Sequence, residues 1–275
     1  MADNTVLATK YAREFKQNYE QKQSKLRGTV ATEGVAEADK FVFIVAGKAE
    51  EAKERAANGL IPLAQDGQTS ATCQLKEYHH KMRKTNFNIY ASSVPQRMNM
   101  QRQGVTSQNQ KTDQILLAQM QTTTLRPLGA TGAAITLNKM LDWCSSLDDA
   151  EVPEEDRWGL LTPRAWAQMM KVEQFTNSRY VDDRPFMKSA DIRFWNTVKW
   201  MKHTRLPSKG TNVAKCYIYH KDALGHGLLQ QETDIVGGYN DEDDYSWSRA
   251  TSRQGATLIL TSGVSEYVHD DTVAI

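Results

Sequence analysis

The chain has 275 residues, 40% of them hydrophobic and 24% charged, with 34 Lys and Arg against 33 Asp and Glu for a formal net charge of +1. That length supports a substantial core, as one large domain or two modest ones, and the near-neutral charge argues against a dedicated nucleic-acid binder, which carries a basic excess to displace counterions from phosphate. No apolar run approaches the roughly 18 residues that span a bilayer, MADNTVLATKYAREF lacks the order of a secretory signal, and Cys73, Cys144 and Cys216 lie too far apart for a zinc pair or a disulfide framework, so they read as reduced cytoplasmic thiols.

Leu7, Tyr11, Phe15 and Tyr19 recur every four residues among Lys, Arg, Glu and Gln, the spacing of an amphipathic helix with a narrow apolar stripe. The polar side mixes Glu14 and Glu20 with Lys10, Arg13 and Lys16, so a protein surface suits this stripe better than a membrane, and the helix becomes a candidate arm reaching over another subunit. Gly28 and the small residues of GTVATEGVA then read as an extended connector. From Phe41, FVFIVAG is a β-branched and aromatic strand. KAEEAKERAANGLIP favours helix through Ala, Glu and Lys, and LAQDGQTSATCQLKEY, polar with a turn at Asp66 and Gly67, can pair as a hairpin. Ile115, Leu116, Gln119 and Met120 predict one long helix between Met98 and Thr124, with a narrow packed face among glutamines.

Trp143, Trp158, Trp166, Trp195 and Trp200 all fall between Leu125 and Gly227, which marks that region as a mixed core of helices and strands. In RWGLLTPRAWAQMMK, Leu160 and Leu161 end a strand, Thr162 can cap a helix, Pro163 suits its first position, and Ala165, Trp166, Met169 and Met170 give it an apolar face. AKCYIYHKDAL alternates like a strand, with Cys216, Ile218 and His220 set against Lys215, Tyr217 and Tyr219. GATLILTSGVSEYVHDD reads as two short strands broken at Ser262 and Gly263.

Chemistry-bearing patterns are few. The strand running into Gly47 and Lys48 resembles the approach to a phosphate-binding loop, but Val42 and Ala49 stand where that loop needs a glycine and a Ser or Thr. Gly129 and Gly132 have the spacing of a nucleic-acid-clamping loop and read more simply as a flexible turn. His79 and His80 are adjacent and point different ways on any regular element; His220 and His226 lack a third ligand. Asp241, Glu242, Asp243 and Asp244 invite a calcium loop, yet counting from Asp241 puts Ser246 at the glycine position and Ser252 at the glutamate position. The run therefore reads as a solvated loop or as an acidic face meeting basic residues of a neighbour, with Lys81 to Lys84, Arg249 and Arg253 as candidates and Tyr239, Tyr245 and Trp247 as anchors. No catalytic residue, cofactor loop or metal set is expected.

Three segments carry a resemblance. DRWGLLTPRAWAQMM (Asp156 to Met170), WMKHTRLP (Trp200 to Pro207) with AKCYIYHKDALGHG (Ala214 to Gly227), and GGYNDEDDYSWSRATSRQGATLILTSGVSEYVHDD (Gly237 to Asp271) resemble, in that order, a strand entering a Pro-started helix, an edge strand and loop followed by an H-x-x-A-x-G strand end, and the closing segment of the major capsid proteins of tailed double-stranded DNA phages. The resemblance covers most of the chain from about Phe41 onward. It implies an α+β fold with an N-terminal arm (1–40), an extended loop (41–78), a peripheral domain with a long spine helix (79–131 and 228–275) and an axial domain (132–227).

It also implies hexamers and pentamers in an icosahedral shell around double-stranded DNA bound without sequence specificity, with scaffolding, portal and decoration proteins as partners. The expected place is the virion, after assembly in the host cytoplasm and without a membrane. The residues expected at subunit interfaces are Leu7, Tyr11, Phe15, Tyr19, Asp241, Glu242, Asp243 and Asp244. Encapsulin compartments share the fold and stand as the near alternative. A competing reading is an α/β enzyme with a site around His220, Asp222 and the acidic run.

Overall fold

The computed structural model describes residues 20–55, 59–61, 63–64, 67–91, 96–127, 134–176, 192–229 and 234–273. The Leu7, Tyr11, Phe15, Tyr19 stripe and the Gly129 to Gly132 turn lie outside the described residues.

After a short 3-10 turn at Arg27–Thr29, β1 (Val35–Glu37), β2 (Lys40–Val45) and β3 (Thr69–Gln74) form an antiparallel sheet in the order β1-β2-β3. The Phe41 strand is therefore present and pairs antiparallel with β3. The hairpin expected to turn at Asp66 and Gly67 is not formed by this pairing: Leu63 and Ala64 carry no strand, and Asp66 lies outside the described residues. Phe41, Phe43 and Cys73 bury together at its root. The helix expected from KAEEAKER is absent: 48–55 carry no regular structure and are exposed throughout. Ala, Glu and Lys propensity is weak on its own, and a short helix with no apolar face to pack is marginal in water.

A second sheet combines β4 (Lys76–Thr85), β9 (Leu224–Leu228), β10 (Asp234–Asn240) and β11 (Tyr245–Leu258), ordered β10-β11-β4 with β9 also on β11. Beyond β4 come α1 (Asn86–Ala91) and α2 (Gln96–Met120), the predicted long helix. Its packed face is more polar than expected. Leu116, Leu117 and Met120 bury at one end, but Gly104, Gln108 and Thr112 bury nearer the middle. A Cβ on Gly104 would stand 2.8 Å from the Ala250 Cβ, so glycine is what lets the helix lie this close to the strand. Gln108 donates to the Tyr78 and Ala250 carbonyls at 3.1 Å each, and Thr112 donates to Gln254 Oε1 at 2.8 Å.

The third sheet holds the main core. Its elements are α3 (Leu137–Asp148), β5 (Arg157–Leu161), α4 (Pro163–Met169), α5 (Glu173–Thr176), β6 (Ile192–Trp195), β7 (Val198–Lys202), β8 (Ala214–His220) and β12 (Val264–His269). Strand order is β12-β8-β5-β7-β6, with β5 and β7 parallel and the other pairs antiparallel. Trp143 sits 5.7 Å from Trp200 and 5.2 Å from Tyr267 between ring centroids. A Cβ on Gly159 would meet the Trp200 ring at 2.3 Å, so the glycine opens the place this indole fills.

The strand-to-helix junction is as the sequence implies: Thr162 Oγ1 accepts from Ala165 N at 3.1 Å and Pro163 opens α4. Three expectations change. Trp200 lies on β7, one strand in from the edge, because β6 supplies a further partner. In β8, Cys216, Tyr217, Ile218 and Tyr219 are all buried, since an interior strand covered on both faces does not alternate. The closing segment does hold two strands broken at Ser262 and Gly263, but the first is not short, because β11 runs from Tyr245 through Leu258 as one strand of 14 residues. Its pairing with β4 and β9 in succession sustains that length. The break at Ser262 and Gly263 is a 3-10 turn, and β12 after it joins the third sheet.

Candidate functional site: surfaces for intersubunit contact

The acidic run is the turn of the β10–β11 hairpin. Asp241, Glu242, Asp243 and Asp244 are all exposed. Asp244 takes a left-handed φ of 46°, which closes the turn, and its carbonyl accepts from Asn86 N at 3.1 Å. Tyr239 donates its hydroxyl to Asp244 Oδ1 at 2.6 Å, and Asn240 Oδ1 accepts from Glu242 N at 2.9 Å. The Asp244 carboxylate pushes the Tyr239 phenol above its ordinary value. Tyr239 and Tyr245 thus hold the turn, the latter accepting from Asn240 Nδ2 at 3.2 Å. The carboxylates are left to solvent, with no ion pair among the described residues. No group of His, Cys, Asp and Glu among the described residues is arranged to hold a metal ion.

A second exposed feature is apolar. On the segment joining β2 to β3, Leu60, Ile61 and Leu63 are 95%, 71% and 88% exposed. Large apolar side chains left this open to water are candidates for burial by a partner.

The enzyme reading fails on geometry. His220 Nδ1 accepts from Asp222 N at 3.2 Å and stands 3.9 Å from the carboxylate of an Asp222 that is 70% exposed, a local turn rather than an enclosed pair. The acidic turn precedes Tyr245, whereas Leu224, just past His220, pairs with Leu258 at the far end of the same strand. At a strand rise of about 3.3 Å per residue, the two places are roughly 40 Å apart. His226 turns inward to Gln254 Oε1 at 3.1 Å, and burial pushes its pKa below the ordinary value. His79 and His80 face opposite sides of β4, as adjacency requires: His79 bonds Thr251 Oγ1 at 3.0 Å, while His80 turns toward Gly104 under α2. The cysteines are free and buried, with the thiols of Cys144 and Cys216 pushed up by burial to about 11 and about 12, far from the reactive range.

Sequence reasoning missed a buried carboxylate that organises the subunit. Asp113, fully buried on α2, accepts from Gln21 Nε2, Ser24 Oγ, Lys25 N and Leu26 N, and meets His203 Nε2 at 3.2 Å. Burial alone would raise its pKa, but hydrogen bonds from His203, Ser24, Lys25 N and Gln21 outweigh that and hold it below the usual carboxylate value. One side chain therefore ties the segment from Gln21 to Leu26, the long helix and the residue that follows β7. A signal was present: Asp113 stands three and four residues before Leu116 and Leu117, on the helix's own buried stripe. Arg157 is a second case, 1% exposed, donating to Pro153 O at 2.8 Å, to Asp148 Oδ1 at 2.6 Å and to the Val152 carbonyl.

The fold is shared with known head shells. The capsid protein in the structure of the cyanophage P-SCSP1u superposes with a TM-score of 0.71 at 11% identity, over 94% of this chain and 91% of that one. The head structure of Helicobacter pylori bacteriophage KHP40 gives 0.71 at 11% identity, over 94% and 93%. The capsid of a native GTA particle gives the same TM-score of 0.71 at 11% identity, over 94% and 93%. No curated protein matches the sequence. The family model described as phage capsid protein matches residues 4–270. Because the family's sequence pattern runs along nearly its whole length, on a fold shared with phage head shells, the chain belongs to the phage capsid protein family and is a major capsid protein, a structural subunit of the virion.

Proposed function

We propose that copies of this chain close as hexamers and pentamers into the icosahedral head shell of a tailed phage, around packaged double-stranded DNA. The observation that carries the reading is a subunit with a complete tryptophan-rich core that still exposes Leu60, Ile61 and Leu63 on one loop and four acids at one hairpin end. Repeated, individually modest contacts between such surfaces suffice, because closure of a shell multiplies them. Near-neutral charge limits repulsion between many copies and avoids trapping the DNA that later leaves.

In this reading residues 1–40 form the arm and 41–78 the extended loop. The peripheral domain takes 79–131 and 228–275, with α2 as its spine, and 132–227 form the axial domain, on which β12 also lies. Leu7, Tyr11, Phe15 and Tyr19 reach over a neighbouring subunit, and Asp241, Glu242, Asp243 and Asp244 meet basic residues of a neighbour. Scaffolding, portal and decoration proteins are its other partners, assembly takes place in the host cytoplasm, and the enclosed DNA is held without sequence reading.

Negative-stain microscopy of the expressed chain, alone and with scaffold supplied, tests the reading. Shells or capsomer-sized rings are expected; a persistent monomer at high concentration under both conditions overturns it. Recovery of protein cargo in place of DNA from particles made during infection would point to an encapsulin-type compartment. Replacing the four acids of the turn with Asn and Gln is expected to weaken assembly, and to make what remains less sensitive to salt, while the subunit stays folded. Unchanged assembly would return the turn to an ordinary solvated loop.

A further inference from the structure

The sheet of β4, β10 and β11 has two unlike faces. Residues directly opposite in an antiparallel ladder project to the same side. Ser246, Ser248, Ala250, Ser252 and Gln254 bury beneath α2, with His80, Met82 and Lys84 of β4 on the same side. The opposite side carries His79, Lys81 and Arg83, all exposed, beside Tyr245, Trp247 and Arg249. The contiguous basic stretch at Lys81 to Lys84 is thus split: Lys84 bonds Gln96 on the helix side, while Lys81 and Arg83 face outward.

That outward face is positive: the one acid that β10 adds to it, Asp234 opposite Thr251, makes no ion pair with Lys81, Arg83 or Arg249 among the described residues. Lys81 stands directly across the ladder from Arg249, a like-charge pair that destabilises a sheet when nothing neutralises it. Lys81 Nζ lies 5.5 Å over the Trp247 ring and the Arg83 guanidinium 5.6 Å over Tyr245, so aromatic faces hold both cations in place without cancelling their charge. Buried Arg249 Nε has no hydrogen-bond partner among the described residues. Glu77, the acid on this side of β4, is taken by Arg253 at 3.0 Å and His79 at 3.3 Å. The ion pairs among the described residues leave Lys81, Arg83 and Arg249 without a carboxylate, and the turn at Asp241 to Asp244, beyond the end of the same sheet, does not supply one within its own subunit.

We propose that this face is the receptor for the acidic turn of a second copy, with Asp241, Glu242 and Asp243 of one subunit set against Lys81, Arg83 and Arg249 of the next. The inference rests on the reading of that turn as an intersubunit contact and names its acceptor. The charges match in number, and the contact joins two different patches of the same subunit, so it is head-to-tail and repeats around a ring. A nucleic-acid strand fits the face less well, because a phosphate chain following β4 and β11 would run into the hairpin's own four acids.

Charge exchange tests it. One variant carries Lys81→Glu, Arg83→Glu and Arg249→Glu, another Asp241→Lys, Glu242→Lys and Asp243→Lys, and a third carries all six. Shells are measured by sedimentation and microscopy under conditions where the unaltered chain assembles, with circular dichroism as the check on folding. Each triple variant is expected to lose about tenfold or more of the assembled material, and the sixfold variant to recover most of it. Because the triple Glu variant could fail to fold, Lys81→Gln, Arg83→Gln and Arg249→Gln are tested beside it, with a smaller loss in the same direction expected. Normal assembly of the Gln variant overturns the inference. If the turn variant alone fails to assemble, the turn remains an interface and its acceptor lies elsewhere. If both triples assemble normally, the reading of the turn falls as well. Shells that form normally on the basic-face variants but retain less DNA would assign the face to nucleic acid and overturn the inference.

Discussion

Asp113 shows how much one buried carboxylate can organise. Its replacement by Ala leaves the donors of Ser24, Lys25, Leu26 and His203 facing a void, and a buried donor without an acceptor costs its full desolvation. Asp113→Ala is expected to destabilise the subunit by about 2 to 4 kcal/mol in chemical denaturation, with Asp113→Asn closer to the unaltered chain. The pH sign follows from its lowered pKa: the stabilisation is present above the ordinary aspartate value of 3.8 and is lost as pH falls through the lower folded value. The difference in Tm between the unaltered chain and Asp113→Ala should therefore shrink below about pH 4 and stay constant above it. His226 and His269 behave differently. Burial lowers both from the ordinary value of 6.5, against opposing hydrogen bonds that His226 donates to Gln254 Oε1 and His269 to Asp271 Oδ1, so both fold as neutral imidazoles. Stability is then full above pH 6.5 and declines as acidification charges these rings in the unfolded chain first. A His226→Gln, His269→Gln variant is expected to have a flatter Tm profile from pH 7 to 5; a slope equal to that of the unaltered chain would remove these rings as its cause.

At the scale of elements, α2 was readable as a helix but not as a helix on a sheet. Its apolar residues cluster at Ile115 to Met120, and nothing in the order of its glutamines marks Gln108 as buried while Gln114 is exposed. That distinction comes from β11, whose Ser and Ala side chains form the shallow surface α2 lies on. Gly104 is the point of closest approach. By helix propensity Gly104→Leu should be favourable by up to about 1 kcal/mol. Because even a Cβ would stand 2.8 Å from Ala250, the substitution is expected instead to lower stability by about 1 to 3 kcal/mol, and thermal melts decide the sign. The segment at 48–55 is the reverse case, with helical composition and no helix, since it offers no apolar stripe for any surface to cover.

For the whole molecule, the division between a buried core and the exposed surfaces proposed as contacts predicts separable phenotypes. Leu60 and Leu63 contribute nothing to the core of the subunit, so Leu60→Ser with Leu63→Ser should leave the monomer's Tm within about 1 °C. The same pair should reduce shell yield, because a partner's surface would lose the apolar area it covers. A matching loss of monomer stability would show instead that these side chains pack at home.

The sequence by itself determined the elements whose signals are local: the Phe41 strand, the Thr162 and Pro163 helix start and the long helix, each set by spacing, capping or backbone rules within a few residues. The family followed from the order of such elements along the chain. Tertiary structure alone decided which polar residues are buried and which face of a strand is open. Burial of Asp113 depends on Ser24 and His203, 89 and 90 residues away, and the charge of the β4–β11 face depends on a register that sets Lys81 against Arg249. Periodicity puts Asp113 on the stripe of Leu116 and Leu117, but distant partners brought together by packing leave no pattern in the chain, which is why what satisfies that carboxylate, and the charge of the open strand face, became visible only in the folded molecule.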